Sequence, residues 1–213
     1  MLRASREKTI RYHTRELNDI LDRSRHQDLP EFREGEKILD IGCGGGQTII
    51  GVMNKRDAVG LDFDPVALRL GKSWDPDLKL VCAPADQLPF TAASFDLAFA
   101  RVSLVSSDIP KVLDEVYRVL MPGGRFWSMF HSFSKMKSIY LRDFDLRRWG
   151  AFCLVSVNGT LFHLMHRSWN FPFSGRETFQ TERSLRHCLT KAGFETIQFK
   201  NEATLIVSAT KPW

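Results

Sequence analysis

From residue 37 onward, short apolar runs alternate with amphipathic stretches. KILDIGC (37–43) and DAVGLD (57–62) flank a helical stretch near 46–54, and Asp64 with Pro65 opens a second helix. Runs of this length separated by helical segments read as βαβ units, so the pattern predicts a parallel sheet. The alternation continues through LKLVCA (78–83), a short helix after Asp86, SFDLAFA (94–100) and the helix IPKVLDEVYRVL (109–120). The turn MPGG and the strand RFWSMF (125–130) follow. Further on, the helix ERSLRHCLTKAG ends at Gly193, which suits a left-handed C-cap, and FETIQFK and ATLIVSAT come after it. Only Asn201 and Glu202 separate these last two runs, which should pair as an antiparallel hairpin. The expectation is an α/β fold, an open parallel sheet ending in one antiparallel strand. Residues 3–27 form a polar helical stretch with apolar positions at Ile10, Leu17, Ile20 and Leu21, suited to covering a sheet edge or a ligand mouth.

Composition narrows the class. With 213 residues, 43% hydrophobic and 26% charged, the chain reads as one soluble globular domain over 1–213, with a helical cap at 1–34 and an insertion at 131–180. Apolar runs such as LAFA and FCLVSV fall far short of the roughly 20 residues that span a bilayer. The start, MLRASREKTIRYH, is charged throughout, so a cytoplasmic protein is expected. Cys43, Cys82, Cys153 and Cys188 form no CxxC pair, which suggests neither a disulfide framework nor a metal site. The net charge of +5 is unevenly placed: residues 125–191 carry 11 basic against 4 acidic groups, and 13 of the 24 aromatic residues. That segment needs an explanation of its own.

The stretch ILDIGCGGGQT (38–48) carries the clearest chemistry. Its glycines at 42, 44 and 46 give GxGxG, whereas the dinucleotide fingerprint would put its third glycine at position 47, which is Gln47. Asp40 lies two residues before the first glycine, where a carboxylate would repel a pyrophosphate and attract an ammonium or sulfonium group. The favoured ligand is a nucleoside bearing positive charge. Asp62 ends the second strand, 20 residues after Gly42, where a paired acceptor takes both ribose hydroxyls. Asp86 lies just past the third strand, in reach of an adenine amino group, with Phe63 placed to cover one face of the ring. Each acid alone could be a helix cap; three at successive strand ends point to one ligand.

The segments LDIGCGGG, VGLDFDP, ADQLPF, SFDLAFA and EVYRVLMPGGRF resemble the class I S-adenosylmethionine-dependent methyltransferases, in particular the small-molecule branch of ubiquinone and sterol methyltransferases. The resemblance runs from about 35 to 130 and resumes at AGFE (192–195). It implies a Rossmann-like seven-stranded sheet of order 3-2-1-4-5-7-6, its last strand antiparallel, with helices on both faces. S-adenosyl-L-methionine is the implied cofactor and S-adenosyl-L-homocysteine the product. By position, Asp40 and the backbone of Gly42, Cys43 and Gly44 fall near the methionine portion, Asp62 on the ribose, Phe63 beside the adenine, and Asp86 and Gln87 at its edge. Arg101, after the fourth strand, lines the junction of cofactor and substrate in this family, where an arginine is a departure; it suits a partner in Asp40, in the cofactor carboxylate or in an acidic substrate, or a surface pair with Asp96 or Asp108.

The implied reaction is methyl transfer to a small, apolar or aromatic acceptor by direct in-line displacement, which needs a held geometry and no protein nucleophile. A base is required only where the acceptor must lose a proton; His131 and Tyr140 are the candidates, beside His163 and His166, which read better as ordinary surface or core residues. The insertion at 131–180 falls where the family carries its substrate lid. It reads as a lid over an apolar or aromatic molecule with negative charge, as a basic and aromatic surface for RNA or a membrane interface, or as a packing subdomain. After the fourth strand this chain has ARVSLVSSD, without the Asn or Asp, two prolines and aromatic of enzymes that methylate base amines, which lowers the nucleic-acid reading. Two other functions remain open, a catalytically silent cofactor-binding module and an RNA methyltransferase. A nicotinamide oxidoreductase is disfavoured by the acid at 40 and the absent third glycine.

Overall fold

The computed structural model describes residues 2–22, 28–53, 57–142, 145–171, 176–201 and 204–213. Its strands are β1 (Ile38–Ile41), β2 (Ala58–Asp62), β3 (Lys79–Cys82), β4 (Phe95–Arg101), β5 (Leu120–Phe130), β6 (Glu195–Asn201) and β7 (Leu205–Thr210). They form one sheet in the order β3-β2-β1-β4-β5-β7-β6. β1 pairs in parallel with β2 and β4, and β2–β3 and β4–β5 are parallel too. β7 runs antiparallel to both β5 and β6. This is the order and the reversed strand that the sequence led us to expect. The helices are α1 (Leu2–Leu21), α2 (Pro65–Trp74), α3 (Ile109–Val119), α4 (Phe133–Tyr140), α5 (Leu146–Met165) and α6 (Glu182–Ala192). Among the described residues no helix is long and apolar enough to cross a membrane.

β1 is central, and all four of its residues are buried, as a strand covered on both faces requires. Its side chains alternate between two cores. Leu39 and Ile41 join Val112 and Val116 of α3 and Leu185 and Leu189 of α6. Ile38 turns the other way, toward Met53, Leu97 and Phe99. On α3 the buried positions Ile109, Val112, Leu113, Val116 and Val119 follow the helical period, each side chain worth about 1.5–3 kcal/mol on burial. Local chemistry sets the ends: Asp64 accepts from the Val66 amide ahead of Pro65, Thr181 and Ser184 form a reciprocal cap on α6, and Gly193 closes that helix at φ +100°.

The structure differs from the sequence reading at several points. The helix expected near 46–54 widens into a π-helix over Ile49–Met53, and residue 54 lies outside the described residues. No helix follows Asp86; residues 85–87 form a turn. There the Arg118 guanidinium donates to the carbonyls of Leu88 and Phe90 at 2.9 and 2.7 Å, and Glu115 accepts from the Leu88 amide at 2.8 Å. Side chains of α3 thus take the backbone groups that a helix would have paired, and Pro89 disfavours helical geometry at Leu88. MPGG is not a free turn: β5 already begins at Leu120, and the extra residues form a bulge where pairing skips from Phe95↔Leu120 to Leu97↔Arg125. The N-terminal helix stops at Leu21, and residues 28–37 hold no helix, so the helical part of the 1–34 cap is shorter than expected; 23–27 lie outside the described residues. So do residues 202 and 203 in the β6–β7 turn.

One close contact joins α2 to the glycine-rich turn. A Cβ on Gly71 would lie 2.2 Å from the Gly45 carbonyl oxygen, so the two backbones touch. Gly71→Ala should force them apart, at about 1–3 kcal/mol for overpacking, and lower Tm by about 2–10 °C for a chain of this size. A calorimetric melt within a degree of the parent would refute this.

Candidate functional site

A cavity of about 520 Å³ opens at the carboxyl ends of the parallel strands. Gly42, Asp62, Phe63 and Asp86 line it, together with His13, Ser103 and Arg176. The glycines are needed because other groups fill the space their side chains would take. A Cβ on Gly42, at φ +74°, would meet the Ser103 side chain at 2.1 Å, and Ser103 Oγ donates to the Ile41 carbonyl. A Cβ on Gly44, at φ +58°, would meet the His13 ring at 2.6 Å. Positive φ is cheap only for glycine. The turn is therefore shaped to admit α1 on one side and the post-β4 segment on the other.

Gln47, the residue that breaks the dinucleotide fingerprint, is a structural pin. Its Oε1 accepts from the Gly45 amide at 2.9 Å, while Nε2 donates to His13 Nδ1 at 2.7 Å and to the His13 carbonyl at 3.3 Å. Acceptance at Nδ1 places the imidazole proton on Nε2, and burial lowers the His13 pKa, both favouring the neutral ring.

Asp62 is buried and holds the turn with both oxygens. Oδ2 accepts from the Gly44 amide and Oδ1 from the Asp64 amide, each at 2.8 Å. A carboxylate has about four lone-pair sites, so each oxygen keeps one for a ligand hydroxyl. Asp40 behaves differently. It is 2% exposed, and its Oδ2 is out of solvent with no hydrogen-bond partner. Burial pushes its pKa up to about 7, with Asp62 adding to the rise and Arg101 opposing it. Asp40 lies behind the glycine turn and, like Cys43, Gly44 and Arg101, is not among the residues lining the cavity; its unpartnered buried oxygen is costly unless a donor or cation reaches it.

The remaining candidates divide. Phe63 is 78% exposed at the cavity, free to cover a flat ring, and Asp86 is half-buried in the same wall. Gln87 is exposed on the adjoining turn but does not line the cavity. Cys43 is buried, its sulfur packed against Gly60, and burial raises its pKa. Arg101 reaches back to α1 and pairs with Glu16 at 3.3 Å, while Asp96 accepts from the Lys37 amide and Asp108 pairs with Lys111 and Arg176. His131 follows β5 with Nδ1 buried and without a partner, its pKa lowered by burial and then by Lys135. Tyr140 donates to Glu177 at 2.8 Å, and burial with that carboxylate raises its pKa. Neither His131 nor Tyr140 lines the cavity.

A methyltransferase domain family matches residues 39–128, the stretch that builds this cavity floor. The ubiquinone/menaquinone biosynthesis C-methyltransferase UbiE of Rickettsia felis is 32% identical over 187 residues, covering 80% of this chain and 73% of that protein. The chain belongs to the class I S-adenosylmethionine-dependent methyltransferases. The UbiE protein of Rickettsia bellii is 30% identical over 216 residues, 90% of this methyltransferase and 84% of that one. Among solved structures, a SAM-dependent methyltransferase from Methanosarcina mazei shares the fold, with a TM-score of 0.60 at 22% identity over 87% of this chain and 99% of the other. The activity is therefore S-adenosylmethionine-dependent methylation of a small molecule. The donor set of this methyltransferase suits its cofactor: an orphaned buried acid for an ammonium, spare lone pairs on Asp62 for hydroxyls, and an open phenyl face for a base.

His13, Gln47, Ser103 and Arg176 were not among the residues singled out from sequence. Gln47 carried a signal, since an amide where a glycine was expected had to bond something. The others gain their places only through packing between distant elements.

Proposed function

We propose that this methyltransferase moves a methyl group to an electron-rich carbon of a small hydroxylated aromatic acceptor. The arrangement at the carboxyl ends of β1 to β4 carries the reading: acids and an exposed ring around one cavity. Carbon as the accepting atom is supported by the C-methyltransferase names of the two Rickettsia relatives. In this reading Asp62, Asp86 and Phe63 hold the nucleoside. Asp40 and the turn Gly42–Gly44 hold the amino-acid part, Cys43 contributing backbone only, with Gln87 at the outer edge of the base. Arg101 positions α1 through Glu16 and softens the cost of ionising Asp40. Bound there, S-adenosylmethionine supplies an already activated methyl group for in-line displacement, so the protein's work is orientation, exclusion of water and proton removal.

Ring carbon becomes nucleophilic when a neighbouring hydroxyl loses its proton; as the carbon takes the methyl group the sulfonium leaves as S-adenosylhomocysteine, and the ring C–H proton is then lost to solvent to restore aromaticity. His131, just past β5, is the candidate to take the hydroxyl proton, its Nδ1 buried without a partner and its pKa lowered by burial, while the Tyr140 hydroxyl donates to Glu177. His131→Ala should lower kcat by about 10²–10⁴-fold and Tyr140→Phe should leave it near the parent. The reverse ranking would overturn this assignment. The proposal itself is tested with methyl-labelled cofactor and a panel of hydroquinones and phenols. Label on ring carbon by NMR supports it; label on oxygen or nitrogen, or turnover confined to other acceptors, refutes it.

A further inference from the structure

A second cavity, about 740 Å³, lies between α3, the end of α5 and α6. It shares Asp108 and Arg176 with the cofactor cavity but is otherwise built from different residues. Lys111, Arg167, Arg176 and Lys191 line it against two carboxylates, Asp108 and Asp114, leaving an excess of two positive charges with the imidazoles neutral. Asp108 is drawn on from both sides, by Lys111 at 3.3 Å and by Arg176 at 3.6 Å. Lys191 and Arg167 have no carboxylate within ion-pair distance among the described residues.

The wall between these cations is unusual. His166 caps α5 at φ +58°, a left-handed position that glycine or asparagine ordinarily fills. The strain delivers its ring onto His187 of α6, stacked with centroids 3.8 Å apart and planes 16° from parallel. It also turns the chain so that Arg167, Ser168 and Trp169 face the cavity. Ser168 Oγ and His166 Nδ1 are buried there without partners, two polar groups that have given up water for nothing visible. Arg176 Nη1 donates to the Ser168 carbonyl at 3.2 Å, tying this turn to the cation cluster. Met165 and Trp169 supply an apolar flank, 58% and 39% exposed.

We infer that this cavity binds a phosphate monoester with an apolar or aromatic body, the dianion held by the Lys111, Arg167, Arg176 and Lys191 cluster and the body laid on Trp169 and Met165. A dianion matches the excess charge, and Arg pairs with phosphate in a fork. The site goes beyond the methyl-transfer reading and does not depend on it.

The test titrates the full chain by calorimetry with phenyl phosphate and with inorganic phosphate, after saturation with S-adenosylhomocysteine so that the cofactor cavity is filled. Phenyl phosphate should bind at least tenfold more tightly than inorganic phosphate, and Arg167→Ala/Lys191→Ala should weaken it at least tenfold with S-adenosylhomocysteine affinity unchanged. Arg167→Gln alone, which keeps most of the side chain's length without its charge, should weaken it severalfold and covers the case in which the double variant melts early. Equal affinity for the two phosphates would overturn the ester, and absence of binding, or undiminished binding by both variants, would overturn the site. Failure of the initial S-adenosylhomocysteine saturation would instead strike at the cofactor cavity, with the phosphate titration still readable on the free protein.

Discussion

Asp62→Ala should bind S-adenosylhomocysteine about 10- to 150-fold more weakly than the parent, the loss of a charge-assisted hydrogen bond worth about 1.5–3 kcal/mol. Sequence alone suggests a variant that is otherwise intact, but the structure adds a second cost. Both Asp62 oxygens accept backbone amides, from Gly44 and Asp64, and alanine would leave those donors without partners. Each orphaned buried donor costs about 1–3 kcal/mol, so the melt should also fall, and saturating ligand should restore only part of it. Asp62→Asn separates the effects poorly, because its amide nitrogen would face one of the two N–H groups. Calorimetric titration decides: unchanged affinity in a folded Asp62→Ala protein would remove Asp62 from the cofactor site.

Asp40→Asn should change how stability and binding respond to pH. In the parent, burial holds the Asp40 carboxyl up at about 7. A carboxyl raised on folding carries no penalty below its unfolded pKa, where both states are protonated. As pH rises from the ordinary carboxylate range to about 7, the unfolded chain releases a proton that the folded chain keeps, so stability declines across that window and levels off above it. Asp40→Asn removes this decline and should be the more stable protein at pH 8 in the absence of ligand. An arriving ammonium reverses the balance by favouring the ionised carboxylate. Binding of S-adenosylhomocysteine to the parent at pH 6 should therefore release close to one proton, fading by pH 8, while Asp40→Asn releases about one fewer. Titrations in buffers of different ionisation enthalpy measure this count; equal counts for the two proteins would show that residue 40 does not meet the ligand's charge.

Much of this was legible in the sequence because it is local. Strand periods, the Asp64–Pro65 cap and the glycine at the end of α6 are each written within a few residues, whereas the strand order came from the resemblance to the methyltransferase family. The acids at positions 40, 62 and 86 were visible because strand ends of a parallel sheet share one edge. What escaped is non-local. The absence of a helix after Asp86 depends on Arg118 and Glu115 capturing its backbone from 27 to 30 residues away. The His13–Gln47 bond spans 34 positions and joins a terminal helix to a turn. The aromatic excess of 125–191 also has a plainer reason than a lid: Phe133 packs on Phe152 and Phe179, and Tyr140 approaches Phe152. Arg176 alone brings that insertion to the cavity wall among the described residues.

The clamp made by Arg118 and Glu115 bears on turnover. It fastens the segment carrying Asp86 to α3 through several short bonds, whereas on the opposite wall α1 is held by the His13–Gln47 contact, the Arg101–Glu16 pair and the packing of Ile20 against Gly51. One jamb of the doorway is thus bolted and the other latched. Spent nucleoside should leave past the N-terminal helix, and anything that props this helix shut will slow successive rounds while leaving the first one fast.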